Sequence, residues 1–201
     1  MNLNNFKRYL FLFSIFFSFL YSYEKPFTIK AKLSDFFYQD SSARKIFKNY
    51  EMLTSFEGSY EVYKYSKVKF HAFVEYGFLK ADGFDKNTLT IFKLFLSPLS
   101  FGLNTEFIVN NTLSIYLKTA PNWMYAQVKH DYEAPPNKIS KSTIGGTFGL
   151  GLLVHLNDRA VFDLFFNYLY DSKKITDSSS EVTFKPYFGG FQLGYGLGIK
   201  F

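Results

Sequence analysis

Few side chains in this 201-residue sequence could do covalent chemistry. Cysteine is absent, which removes disulfides, thiolate nucleophiles and thiolate metal ligands. There are three histidines, His71, His130 and His155, and no pair of histidines or carboxylates stands at metal-ligand spacing. His130 is followed by Asp131 and Tyr132, a segment too short to define a general base and the group that would orient it. Residues 145–151, GGTFGLG, have the glycine content of a phosphate-binding loop, yet they lie in an alternating apolar pattern with no helix after them. The residues point to no cofactor, no metal centre and no catalytic group.

What remains is a set of charges embedded in apolar sequence. Lys30, Lys32, Lys69 and Lys118 alternate with large apolar residues, and so do Glu57, Glu61, Glu75, Glu106 and Asp163. Such residues share one face of their strands, opposite a greasy one. Both signs are present, and a buried charge left unpaired costs several kcal/mol, so a mutually neutralising network is the expected arrangement. One pair can be placed from a hairpin: matching Val62 with Val68 across the turn 64–66 sets Glu61 directly opposite Lys69.

The elements that would position these charges are strands. Period-two alternation recurs over residues 27–37, 52–62, 68–78, 99–109, 113–125, 144–156, 162–170 and 187–201. The links at 64–66, 110–112 and 157–159 are tight, whereas those near 39–49, 80–87, 129–141 and 172–181 are longer and polar. Short turns at one end and long loops at the other are the asymmetry of bacterial outer-membrane barrels. The alternation slips over 88–97, and Pro98 marks a bulge or bend there. The expected fold class is all-β: an eight-stranded antiparallel up-and-down transmembrane barrel with short periplasmic turns and longer extracellular loops.

Glycine decides which face is inside. The last strand carries Gly190, Gly194, Gly196 and Gly198 opposite Phe191, Leu193, Tyr195, Leu197, Ile199 and Phe201. A face meeting water would need charge, while the narrow interior of an eight-stranded barrel needs small residues. The aromatic rows, drawn from 27 Phe and 16 Tyr, therefore face lipid, and a soluble barrel with a greasy interior is disfavoured. At the other end of the chain Lys7 and Arg8 precede an apolar run from Tyr9 to Leu20, too short to span a bilayer and of the length of a signal-peptide core. Residues 1–22 are read as a cleaved signal peptide and 23–201 as a single barrel domain. The net charge of +6 does not imply nucleic acid in an exported chain whose basic residues are scattered.

Gly196, Ile199 and Phe201 are similar to the C-terminal signature of outer-membrane proteins, which implies recognition by the barrel-insertion machinery. Gly194 stands where that signature usually has a polar residue. In strand count, loop asymmetry and terminal phenylalanine the chain resembles the small eight-stranded outer-membrane barrels of the OmpA and OmpX kind, without the peptidoglycan-binding domain of the OmpA pattern. The resemblance implies a monomer in the outer membrane of a two-membrane bacterium. The expected function is structural or surface interaction through the extracellular loops, around a plugged, polar lumen. Its partners would be membrane lipid including lipopolysaccharide, and a surface ligand that the residues do not specify. Lys80, Lys138, Lys173 and Lys174 are the loop lysines that could meet lipid phosphates. A lipid-modifying enzyme and, further off, a small-solute channel are the alternatives.

Overall fold

The computed structural model describes residues 27–86, 89–130, 137–171 and 187–201. The expected leader 1–22, Asp131, Lys173 and Lys174 lie outside the described residues, as does the side chain of His130. Eight strands follow one another: β1 (Phe27–Tyr38), β2 (Tyr50–Tyr65), β3 (Val68–Asp85), β4 (Thr90–Ile108), β5 (Leu113–His130), β6 (Asn137–His155), β7 (Ala160–Asp171) and β8 (Gly190–Lys200). Each pairs antiparallel with its neighbours in sequence, and β8 returns to β1, so the sheet is closed and has no free edge. One short helix, α1 (Ser41–Ile46), joins β1 to β2.

The turns show how the ends are built. Asn110 accepts hydrogen bonds through its side-chain oxygen from the amides of Thr112 and Leu113, both at 2.8 Å. Asn157 does the same for Arg159 and Ala160 at 2.8 and 2.7 Å. An asparagine that closes its own turn is a local device that requires no tertiary help. The hairpin between β2 and β3 differs from the expected one. Tyr65, rather than Val62, pairs with Val68, and the turn residue Ser66 takes a φ of 53°. The register shifts between Glu61 and Tyr63, so Val62 is an extra residue, and Glu61 lies opposite His71 instead of Lys69.

Pro98 also corrects the sequence reading. The register of β3 with β4 is the same on both sides of it, Tyr76 with Leu99 and Leu79 with Leu96, so no bulge occurs there. The proline has no N–H to give, and the ladder skips two pairs without slipping. The alternation is masked in the sequence because the inward residues change character: Phe92, Leu94 and Leu96 all face inward and are buried.

This change belongs to the whole upper barrel. Strands β3 to β6 run 18 or 19 residues, whereas β1, β7 and β8 run 11 or 12. In the long strands polarity inverts toward the loop end. Leu79, Ala81, Phe92, Leu94, Ala126 and Val128 are buried inside, while Lys80, Asp82, Lys93, Lys129 and Lys138 are exposed outside. A sheet that leaves lipid and enters water must exchange its apolar face in this way. Helix α1 covers the short side. Asp40 caps it by accepting from the amides of Ser42 and Ala43 at 2.6 and 3.2 Å. Ala43 and Phe47 are buried in the same apolar cluster as Phe36, Leu53, Met124, Leu169 and Phe188. The lumen is therefore polar only in its lower part, and its upper part is an apolar core.

Candidate functional site

Three arrangements of polar side chains stand out, two inside the barrel and one outside. The deepest is an ion cluster. Lys30 lies 3.0 Å from both Glu57 and Asp163. Lys32 lies 2.6 Å from Glu57 and 3.5 Å from Glu75. Lys118 lies 2.6 Å from Glu57 and also bonds Glu75. Tyr116 donates to Asp163 at 2.9 Å and Ser55 to Glu75 at 2.7 Å. Three lysines face three carboxylates, all buried, so the cluster is formally neutral. The ammonium groups of Lys118, Lys32 and Lys30 also stand over the rings of Phe73, Phe165 and Tyr116 at 4.2, 4.7 and 5.2 Å.

Glycines make the room. A Cβ at Gly196 would stand 2.8 Å from Cγ of Lys32, and one at Gly198 would stand 2.8 Å from Cγ of Lys30. The bare face of β8 is thus the wall against which the two lysine stems lie. Above the cluster comes a neutral layer in which Ser100 and Thr147 bond at 3.0 Å and Asn167 donates to Gln192 at 3.0 Å. The apolar core lies above that.

Below the cluster, at the end with the tight turns, a vestibule of about 550 Å³ opens. Glu61 and Lys69 pair there at 2.8 Å, and Glu106 lies 2.9 Å from His71 and 3.4 Å from His155. Ser114 and Glu106 both approach Nε2 of His155, and Lys200 approaches its Nδ1 at 2.8 Å. A nucleophile–base relay needs the serine and the carboxylate on opposite ring nitrogens, so this trio does not form one. Of the nine charged lumen residues read from the sequence, six meet in the cluster and Glu61, Lys69 and Glu106 stand in the vestibule. Tyr116, Ser114 and Lys200 fall on the inward face in the sequence pattern too, but the pattern does not single them out as partners of the charges. Tyr116 shares its strand face with Lys118 two positions on, a signal that was available.

The third arrangement is on the outside, where β4, β5 and β6 rise above the apolar band. Lys93 pairs directly with Lys129, and Lys129 directly with Lys138; Asp82 opposes Lys93 at the end of the row. Aromatic residues lie just beneath it: Phe95 and Tyr125 contact edge to face at 6.4 Å, and Trp123, the one tryptophan in the chain, points outward. Lys80 and Lys138 were placed near this rim from the sequence. Lys129 lies in the link read near 129–141 and Lys93 in the segment 88–97 where the alternation slips, and neither is singled out by the sequence.

The exterior below this rim is a largely apolar band around a closed sheet, and among solved structures the shape recurs. Neisserial surface protein A matches with a TM-score of 0.57 at 16% identity, over 88% of this chain and 97% of that one. Ail, the attachment invasion locus protein of Yersinia pestis, matches at 0.54 and 14%, over 89% and 100%. The outer membrane protein OprG of Pseudomonas aeruginosa matches at 0.60 and 12%, over 87% and 95%. The fold is that of the small eight-stranded outer-membrane β-barrels. At these identities the likeness establishes architecture and leaves function to the residues. No protein-family model matches the chain, and no curated protein matches it in sequence. In this barrel Ile199 and Phe201 point outward, and the Phe201 amide donates to the Phe27 carbonyl at 2.8 Å, where β8 meets β1.

Proposed function

We propose that this protein is a monomeric outer-membrane surface barrel with a plugged lumen, anchored at its outer rim by lipopolysaccharide phosphates. The observation that carries the reading is the row Lys93–Lys129–Lys138. Like charges placed directly opposite one another destabilise a sheet, so three in succession favour an external anion that neutralises them. Their position just above an aromatic band is the depth at which lipid phosphates lie. The ion cluster, the neutral layer and the apolar core together support a lumen closed to solute, which argues against a channel. The His155 geometry argues against an enzyme. The names of the surface protein and the attachment protein among its structural neighbours support a role at the cell surface. Export by the 1–22 leader and recognition of Gly196, Ile199 and Phe201 by the insertion machinery complete the proposal.

The test is thermal unfolding of the refolded barrel with and without lipopolysaccharide, for the native chain and for Lys93→Gln/Lys129→Gln/Lys138→Gln. The native barrel should gain stability with lipopolysaccharide and the triple variant should gain far less. Equal gains in both would overturn the assignment of the row.

A further inference from the structure

The outer face beside the lysine row is concave. A depression of about 370 Å³ lies at Phe95, bordered by Lys80 on β3, Lys93 on β4 and Lys129 on β5. The register sets these side chains next to one another. Lys80 pairs directly with Phe95 and Phe95 with Gln127, while one step higher Asp82 pairs with Lys93 and Lys93 with Lys129. The Gln127 amide donates to the Tyr125 hydroxyl at 2.9 Å, which directs it down the wall toward the aromatic band. Lys138 on β6 continues the row but does not line the depression. Among the described residues, none of the four lysines forms an ion pair.

Charge sets how much anion this face can take. The four lysines and Asp82 leave a net charge of +3. A phosphate monoester carries about −1.5 to −2 at pH 7, so one leaves the face cationic and two bring it close to neutral. The geometry divides the charge in the same way. Three ammonium groups around a hollow suit one phosphate, which lysines hold as point charges. Lys138 stands outside the hollow, and three strand spacings, about 14 Å, separate its strand position from that of Lys80. A single phosphate centred in the hollow leaves Lys138 uncompensated.

We propose that this face takes the headgroup of lipid A, the lipid part of lipopolysaccharide, in its two-phosphate form. One phosphate sits in the hollow between Lys80, Lys93 and Lys129, and the other meets Lys138. The inference rests on the reading that the row meets lipopolysaccharide. It adds Lys80 to the site, divides the site into two unequal parts, and makes the number of phosphates on one headgroup the feature that is recognised.

Native mass spectrometry of the refolded barrel, titrated with lipid A bearing two, one or no phosphates on matched acyl chains, reads this recognition directly. The native chain should bind one molecule of the two-phosphate form about tenfold more tightly than the one-phosphate form, the scale of one added charge-assisted contact at an exposed site. Lys138→Gln should abolish that preference. Lys80→Gln should weaken both forms alike and keep the preference. Lys67→Gln, in the turn between β2 and β3 at the opposite end of the barrel, removes the same charge and should leave the preference intact. Heat-dependent gel mobility checks the folding of each variant. Equal binding of the one- and two-phosphate forms by the native chain overturns the two-part site while leaving the lipopolysaccharide reading in place. So does a preference lost in both Lys80→Gln and Lys138→Gln or in neither. Two one-phosphate molecules bound with equal affinity would assign the face to two separate lipids. Equal binding of all three forms would overturn the lipopolysaccharide reading itself.

Discussion

Lys69 reaches Glu61 at 2.8 Å although the two residues are not opposite each other in the sheet. Lys69 pairs with Lys64 and Glu61 with His71, and the extra residue Val62 between them brings the side chains together on a diagonal. Both side chains are about one-fifth exposed, 23% and 21%, in the vestibule. Partly wet ion pairs are screened, so a double-mutant cycle with Glu61→Gln and Lys69→Met should give a coupling of about 0.5–1 kcal/mol, read from reversible urea unfolding in vesicles. A coupling of zero would place the pair in solution.

The inner cluster should behave differently. Lys118→Met removes the cation between Glu57 and Glu75 and leaves excess negative charge in a dry space. The expected loss is about 3–5 kcal/mol in the same unfolding assay. Adding Glu57→Gln should recover part of it, because the remaining charges again balance. A Lys118→Met barrel as stable as the native one would show that water enters the cluster.

These two pairs mark what the sequence could convey. The inward placement of Lys30, Lys118 and Asp163 follows from period two alone, since every second residue shares a face whatever the partner strand does. Register does not follow, because a single inserted residue such as Val62 leaves alternation on both sides intact while moving the partners. The upper barrel was harder for another reason. Phe92, Leu94 and Leu96 point inward beside the outward Phe95, so both faces read as apolar and the period vanishes. The six-residue helix α1 is too short to show a hydrophobic stripe, and its signal reduces to Asp40 as a cap.

The assignment of faces has its own test. Leu150 points to lipid, and Ser59 lines the vestibule close to Glu61. Leu150→Lys should cost about 2–4 kcal/mol, whereas Ser59→Lys, with room and a nearby carboxylate, should cost under about 1 kcal/mol. Unfolding in phospholipid vesicles gives both values. The reverse order would require the barrel to be turned inside out.

The last prediction asks which layer closes the lumen. Phe36 and Leu96 are fully buried in the apolar core, and the ion cluster lies below them with the neutral layer between. Truncating Phe36 to alanine should destabilise the barrel by about 3–5 kcal/mol through the cavity it leaves. It should not open a conductance, because the charged layer remains packed. Phe36→Ala combined with Lys118→Met weakens both layers, and in planar bilayers it should show current steps where either single variant shows none. Current from Phe36→Ala alone would make the apolar core the sole seal. Current from the native chain would revive the channel reading.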